Sequence, residues 1–340
     1  MVRGKAAAGI LAGAFSFALI AGACSNDSST PTTGGGDEQV TGRIVVSGSS
    51  TVEPISVLAA ELFLEANPDV TINVDGPGTG DGFELFCAGE IDIADASRPI
   101  EDDEAKNCKD AGIDYVELEV ALDGLTVMTN PANEAVSCLN LGDIYALIGP
   151  ESEGFANWSD ADALAQEVGG TGSFPDVSLD VTGPGEESGT YDAMLDLGGI
   201  EDMALERGLS EDEAAALRAD YTSSPNDNVI IQGIEGSESS LGWVGFAYAQ
   251  NAGEGVKELE VDGGDGCVAP TFETIADASY PLSRSLYIYV NTAKAAENPA
   301  LAAYVDYYLS DEGITAVSEA GYVDLPADRL EAARTTWGGV

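Results

Sequence analysis

Four times in this chain a short strand-like run ends in a turn of small and hydroxyl residues that opens a helix or meets an arginine. The turns are Ser50-Thr51, Thr79-Gly80-Asp81, Ser97-Arg98 and Ser188-Gly189-Thr190. Strands alternating with helices imply a doubly wound α/β sheet, with the loops at the strand carboxyl ends forming a ligand crevice. The first turn follows Arg43-Ile44-Val45-Val46 and precedes Ile55, Leu58, Ala59, Leu62 and Phe63, one apolar helix face. Ser50 and Glu53 have capping-box spacing, and Pro54 suits a first helical turn. A helix start offers unpaired N–H groups and partial positive charge, so Ser50, Thr51 and the backbone of Val52 suit an anion. Alone, such a turn is equally an ordinary capped connection; its recurrence is what points to a site.

The remaining pattern sets the organisation. Strands are expected over 70–74, 91–93, 115–129 (broken at Asp123-Gly124), 177–181, 241–246, 256–261 and 286–290. Helices are expected over 83–88, 101–110, 141–148, 191–197, 210–220, 226–234, 299–309 and 311–319. The order restarts near Asn130-Pro131, and 340 residues suit about two domains.

Residues 1–24 stand apart. Arg3 and Lys5 precede an apolar run ending Leu19-Ile20-Ala21-Gly22-Ala23-Cys24, the layout of a secretory signal. Its end resembles a bacterial lipobox, which implies a lipid on Cys24; the rival reading is a membrane-spanning anchor. Residues 25–41, rich in Ser, Thr and Gly, read as a flexible tether. Without the signal, 11 basic residues face 60 acidic ones, a net charge of −49. Such a surface argues against nucleic acid and against anionic membrane faces.

The four other cysteines, Cys87, Cys108, Cys138 and Cys267, suggest two disulfides in an exported chain. Three connectivities are open, and Cys87–Cys108 with Cys138–Cys267 is favoured because the first pair is close in sequence. Metal binding is the alternative, but no CxxC spacing supports it and the chain contains no histidine. The missing histidine also excludes a Ser-His-Asp triad. In Gly185-Glu186-Glu187-Ser188-Gly189 the serine stands one place too late for a nucleophile elbow. No cofactor motif is evident, so a non-enzymatic binder is expected.

The four turns, together with Gly183-Pro184-Gly185, Asn228-Val229-Ile230-Ile231-Gln232-Gly233 and Pro281-Leu282-Ser283-Arg284, resemble the phosphate-binding protein (PstS) family of bacterial ABC transporters. The resemblance runs from about Gly42 to Tyr322, with the motifs in order. It implies a two-lobed Venus-flytrap fold with a mixed sheet in each lobe. Lobe I would comprise 42–129 plus 280–340, and lobe II 130–279. It implies a monomer that binds inorganic phosphate and hands it to a membrane permease, touching the membrane only through its lipid. The implied contacts are Thr51, Val52, Thr79, Gly80, Ser188, Gly189 and Thr190. Two positions depart from the family pattern: Ser97 stands where many members have an Asp, and Pro184 where they have an Arg.

Arg98 is the expected replacement cation, since a guanidinium grips two phosphate oxygens at once. Arg284 is a second candidate for that role or an interlobe contact. Phosphate near neutral pH carries protons and sulfate does not, so a carboxylate acceptor would select between them. Asp81 is one choice, unless it merely caps the following helix; Asp95, Glu53 and Asp123 are fallbacks. A receptor for another oxyanion, and a phosphatase or adhesion protein on the same lobes, remain as rival functions.

Overall fold

Strand β1 (Gly42–Gly48) carries Ile44 and Val46 into the core and ends where the first turn begins. Its successor α1 (Glu53–Ala66) has Pro54 in the first turn and buries Ile55, Ala59 and Phe63, the face expected from spacing. The capping box does not form. Val52 is the N-cap without a side-chain bond, Ser49 Oγ accepts from the N–H groups of Thr51 and Val52, and Ser50 points elsewhere.

The computed structural model describes residues 40–186 and 188–340, so the signal, Cys24 and nearly all of the tether lie outside the described residues. Next come β2 (Val70–Asp75), α2 (Thr79–Cys87), β3 (Ile93–Ala96), α3 (Asp102–Ala111) and β4 (Tyr115–Thr129). Then follow β5 (Cys138–Asn140), α4 (Leu141–Ile148), α5 (Asp162–Glu167), β6 (Asp180–Gly183), α6 (Gly189–Leu197), α7 (Ile200–Glu206) and α8 (Glu211–Ala214). The chain continues through β7 (Thr222–Ser223), α9 (Asp227–Glu235), β8 (Ser240–Gly245), α10 (Phe246–Ala249), β9 (Lys257–Glu258), β10 (Glu260–Asp262) and β11 (Cys267–Val268). It closes with α11 (Phe272–Ala276), β12 (Ser283–Asn291), α12 (Thr292–Glu297), α13 (Pro299–Tyr308), α14 (Thr315–Glu319) and α15 (Ala327–Trp337).

The main sheet runs β2-β1-β3-β12-β4-β8-β6-β7, with β9 also on β4; β5, β10 and β11 form a small second sheet. The β1–β2, β1–β3, β6–β7 and β6–β8 pairs are parallel, while β12 and β4 run antiparallel to their neighbours, so the sheet is mixed. Strand β4 is continuous, not broken at Asp123-Gly124. Residues up to Gly124 pair with β12, and Leu125–Thr129 pair with β8. Its inner residues follow suit. Val116, Leu118, Val120 and Ala121 pack with Ile44, Ile55 and Tyr304, whereas Leu122, Leu125 and Val127 pack with Trp158, Met194 and Trp243. Two cores therefore share one strand, which is the two-lobed α/β fold expected. Core packing changes over at Ala121–Leu122 and strand pairing at Gly124–Leu125, a few residues before Asn130.

Three further expectations shift. The 210–220 helix stops at Ala214, because Leu217 enters the second core and Arg218 N–H is taken by Ile148 O. The 311–319 helix begins only at Thr315, and the 177–181 strand is displaced to Asp180–Gly183. Both favoured disulfides are present, Cys87–Cys108 with Cα atoms 4.2 Å apart and Cys138–Cys267 with 6.1 Å.

Candidate anion-binding site

The first turn is the hub on which the others meet. Ser49 N–H donates to Asp95 O at the end of β3 (2.9 Å), and Gly78 N–H donates to Gly48 O (2.8 Å). Gly48 has φ +144°, and a Cβ there would lie 2.1 Å from Asp95 O, so both conformation and clearance demand glycine. The second and third turns are tied directly: Ser97 N–H donates to Thr79 Oγ1 (3.2 Å), and the two hydroxyls are 3.1 Å apart.

The fourth turn arrives from the other core. Ser188 caps α6, its Oγ accepting from Thr190 N–H (3.2 Å). A Cβ on Gly189 would stand 3.1 Å from Thr51 Cα, 3.4 Å from Ser50 O and 3.3 Å from Tyr322 Oη. The N-termini of α1 and α6 thus meet at Gly189, whose missing side chain allows the approach, and a third helix start, that of α2 at Thr79, is tied in beside them. Thr51 and Val52 are buried here, Thr79, Ser97, Ser188, Gly189 and Thr190 are half-buried, and Gly80 is exposed. Every turn singled out in the sequence is brought to one place.

The cations are arranged differently from expectation. Arg98 is gripped by Glu104 through two 2.8 Å bonds, with Glu101 at 3.4 Å, and it lies over the Phe83 ring. The Glu104 bond raises its pKa further, so it stays charged. Arg284 is the more buried cation. It donates to Thr51 Oγ1 (3.1 Å) and to Asp123 Oδ2 (3.3 Å), and it pairs with Asp196 of α6.

The acceptor candidates separate clearly. Asp81 sits in the first turn of α2, exposed, and does not cap it: Gly78 is the N-cap. Among the described residues Asp81 makes no hydrogen bond to another turn. Asp95 is fully buried, neither carboxyl oxygen has a hydrogen-bond partner among the described residues, and burial pushes its pKa up to about 8. The negative charges of Glu53 and Asp75 add to that shift. Glu53 lies beside Gly76, and buried Asp123 is committed to Arg284.

One contact was not foreseen: Ser50 Oγ donates to Asp192 Oδ2 across 2.7 Å. Asp192 and Asp196 stand one turn apart on α6, directly after Ser188-Gly189-Thr190, and both reach the first core's groups. Their spacing of four after a helix-opening turn was the available signal.

Such a fold, two α/β cores sharing a sheet with strand-end turns converging between them, defines a substrate-binding protein. The chain belongs to the PBP superfamily, whose domain model matches residues 29–312. It is 38% identical over 292 residues to the protein SphX of Synechocystis, covering 85% of this chain and 80% of that one. It is 32% identical over 309 residues to the phosphate-binding protein PstS of Staphylococcus aureus, covering 91% and 85%. Among solved structures, a possible phosphate binding protein from Planctomyces limnophilus superposes with TM-score 0.77 at 36% identity, covering 88% of this chain and 99% of that one.

Proposed function

We propose that this protein is an extracytoplasmic receptor that captures inorganic phosphate between two lobes and delivers it to the permease of an ABC transporter. The observation that carries this reading is the convergence of the Thr51, Thr79, Ser97 and Ser188 turns, with hydroxyl and backbone N–H donors from both cores. The names of the Staphylococcus and Planctomyces relatives support phosphate as the anion.

In this reading the expected lobes, 42–129 plus 280–340 and 130–279, hold with the boundary moved to the changeover on β4, so that Leu125–Thr129 go with lobe II. Ser50, Thr51, Val52, Thr79, Gly80, Asp81, Ser97 and Arg98 face the ligand from the first, and Ser188, Gly189 and Thr190 from the second. Closure buries the ion, and no bond is made or broken, so the protein acts as a binder and not as an enzyme. The acidic surface does not oppose this. Donors in a dry cleft act at close range, whereas distant charge is screened beyond ~8 Å at physiological salt. Residues 1–24 direct export, and a lipid on Cys24 tethers a monomer to the outer face of the membrane. Among the described residues no helix is long and apolar enough to cross a membrane.

Isothermal titration of the mature chain with phosphate, sulfate and molybdate tests the proposal. Tight 1:1 phosphate binding is expected; absence of phosphate binding, or tighter binding of another oxyanion, overturns it.

A further inference from the structure

The turns are rich in donors and short of acceptors. Thr51 Oγ1 accepts from Arg284, Thr79 Oγ1 from Ser97 N–H, and Ser188 Oγ from Thr190 N–H. A hydroxyl whose oxygen accepts still has its own hydrogen to give; one hydrogen of the Thr79–Ser97 pair is used between those two, and the others are available to a ligand. Four bare oxygens suit such a floor; an oxyanion that still bears a proton needs one acceptor as well. Ser97, standing where a carboxylate is expected, has its oxygen 3.1 Å from the Thr79 hydroxyl.

Among the described residues, Asp192 is the only carboxylate that accepts from a hydroxyl of these turns. Its Oδ2 takes the Ser50 hydrogen, and among the described residues no hydrogen bond reaches its Oδ1. It projects from α6 one turn past Gly189, where the missing Cβ lets the two lobes touch.

Resting on the phosphate-receptor reading, we propose that Asp192 accepts the ligand's proton and is the residue that selects protonated phosphate over sulfate. The phosphate O–H donates to Asp192 Oδ1 while the remaining oxygens accept from the turns. Sulfate, with no proton to offer, meets an uncompensated carboxylate at that point. The acceptor therefore comes from the opposite lobe to the position occupied by Ser97. Phosphate closes the lobes onto Asp192, whereas sulfate is repelled by the same closure.

The test is calorimetric titration of inorganic phosphate and of sulfate, at equal ionic strength, into wild type, Asp192→Asn, Asp192→Glu and Ser50→Ala. For Asp192→Asn, sulfate affinity should rise at least about tenfold and the phosphate preference should fall by more than that. Asp192→Glu restores the carboxylate and should keep sulfate out. Ser50→Ala should weaken both anions and leave their ratio within about threefold. An unchanged ratio in Asp192→Asn overturns the assignment. So does a Ser50→Ala variant that reproduces Asp192→Asn, since the carboxylate would then only position Ser50. Should Asp192→Asn fail to melt cooperatively, Asp192→Ser takes its place, with the same expected rise in sulfate affinity and the same overturning result. Wild type that binds no phosphate would instead sink the receptor reading, and this assignment with it.

Discussion

Arg284 on β12 and Asp123 on β4 face each other across a register pair, and their side chains are 11% and 5% exposed. Burial raises the Asp123 pKa and the guanidinium opposes that rise, so the pair survives only because each ion answers the other. The same guanidinium holds Thr51, just ahead of α1, and Asp196 on α6, which links the shared strands to both helices.

Arg284→Ala should therefore cost roughly 3 kcal/mol or more of stability, the penalty of stranding a buried carboxylate. It should also weaken phosphate at least about tenfold by releasing the Thr51 hydroxyl. Thermal melts and calorimetry check both. Adding Asp123→Asn should restore most of the stability but not the affinity.

Arg98 makes a contrasting case. Its grip on Glu104 is exposed enough that Arg98→Ala should leave the fold and melting temperature nearly unchanged. Phosphate binding should nevertheless fall by roughly 100-fold if the guanidinium faces the ligand when the lobes close. Wild-type affinity in this variant would remove Arg98 from the site.

Gly189→Ala places a methyl group 3.1 Å from Thr51 Cα. That spacing is tighter than backbone contacts accept, so the two helix starts must part by several tenths of an ångström. Phosphate affinity should drop roughly tenfold, while the melting temperature of the unliganded protein moves little.

Asp95 predicts a pH dependence. Its folded pKa, about 8, lies above the ordinary value of 3.8, so the folded state holds the proton more tightly than the unfolded one. Stability should fall as pH rises through the interval between those values and level off above it. Asp95→Asn removes the titration. It should melt higher than wild type near pH 8, and that advantage should vanish near pH 4; parallel melting profiles would refute the assignment.

Reduction of Cys138–Cys267, which spans 129 residues, should cost about 5 kcal/mol on the loop-entropy account, against about 3 kcal/mol for Cys87–Cys108 with its separation of 21. Denaturant melts of the two paired Cys→Ser variants test the order.

Local chemistry made much of this readable. The α1 face, Pro54 and the glycine-hydroxyl turns follow from short-range rules, and all four turns do assemble. Long-range partners were illegible. Ser50 meets Asp192 over 142 positions and Arg284 meets Thr51 over 233, and no periodicity encodes such pairs. Asp123-Gly124 resembles a strand break because its reasons lie elsewhere in the chain. Asp123 is held by Arg284, and a Cβ on Gly124 would sit 2.8 Å from Ile275 Cδ1. The acidic, Ala-rich stretch after Ser210 has helical propensity, yet burial of Leu217 and Arg218 overrides it.

Because β4 belongs to both halves of the sheet, the molecule has no slack joint at that crossing. Parting the halves must flex one strand that is held by β12 up to Gly124 and by β8 from Leu125, as bending a ruler differs from swinging a gate. In the phosphate-receptor reading a ribbon so held would resist wide gaping, and its stiffness at Gly124–Leu125 would set how readily the ligand is exchanged.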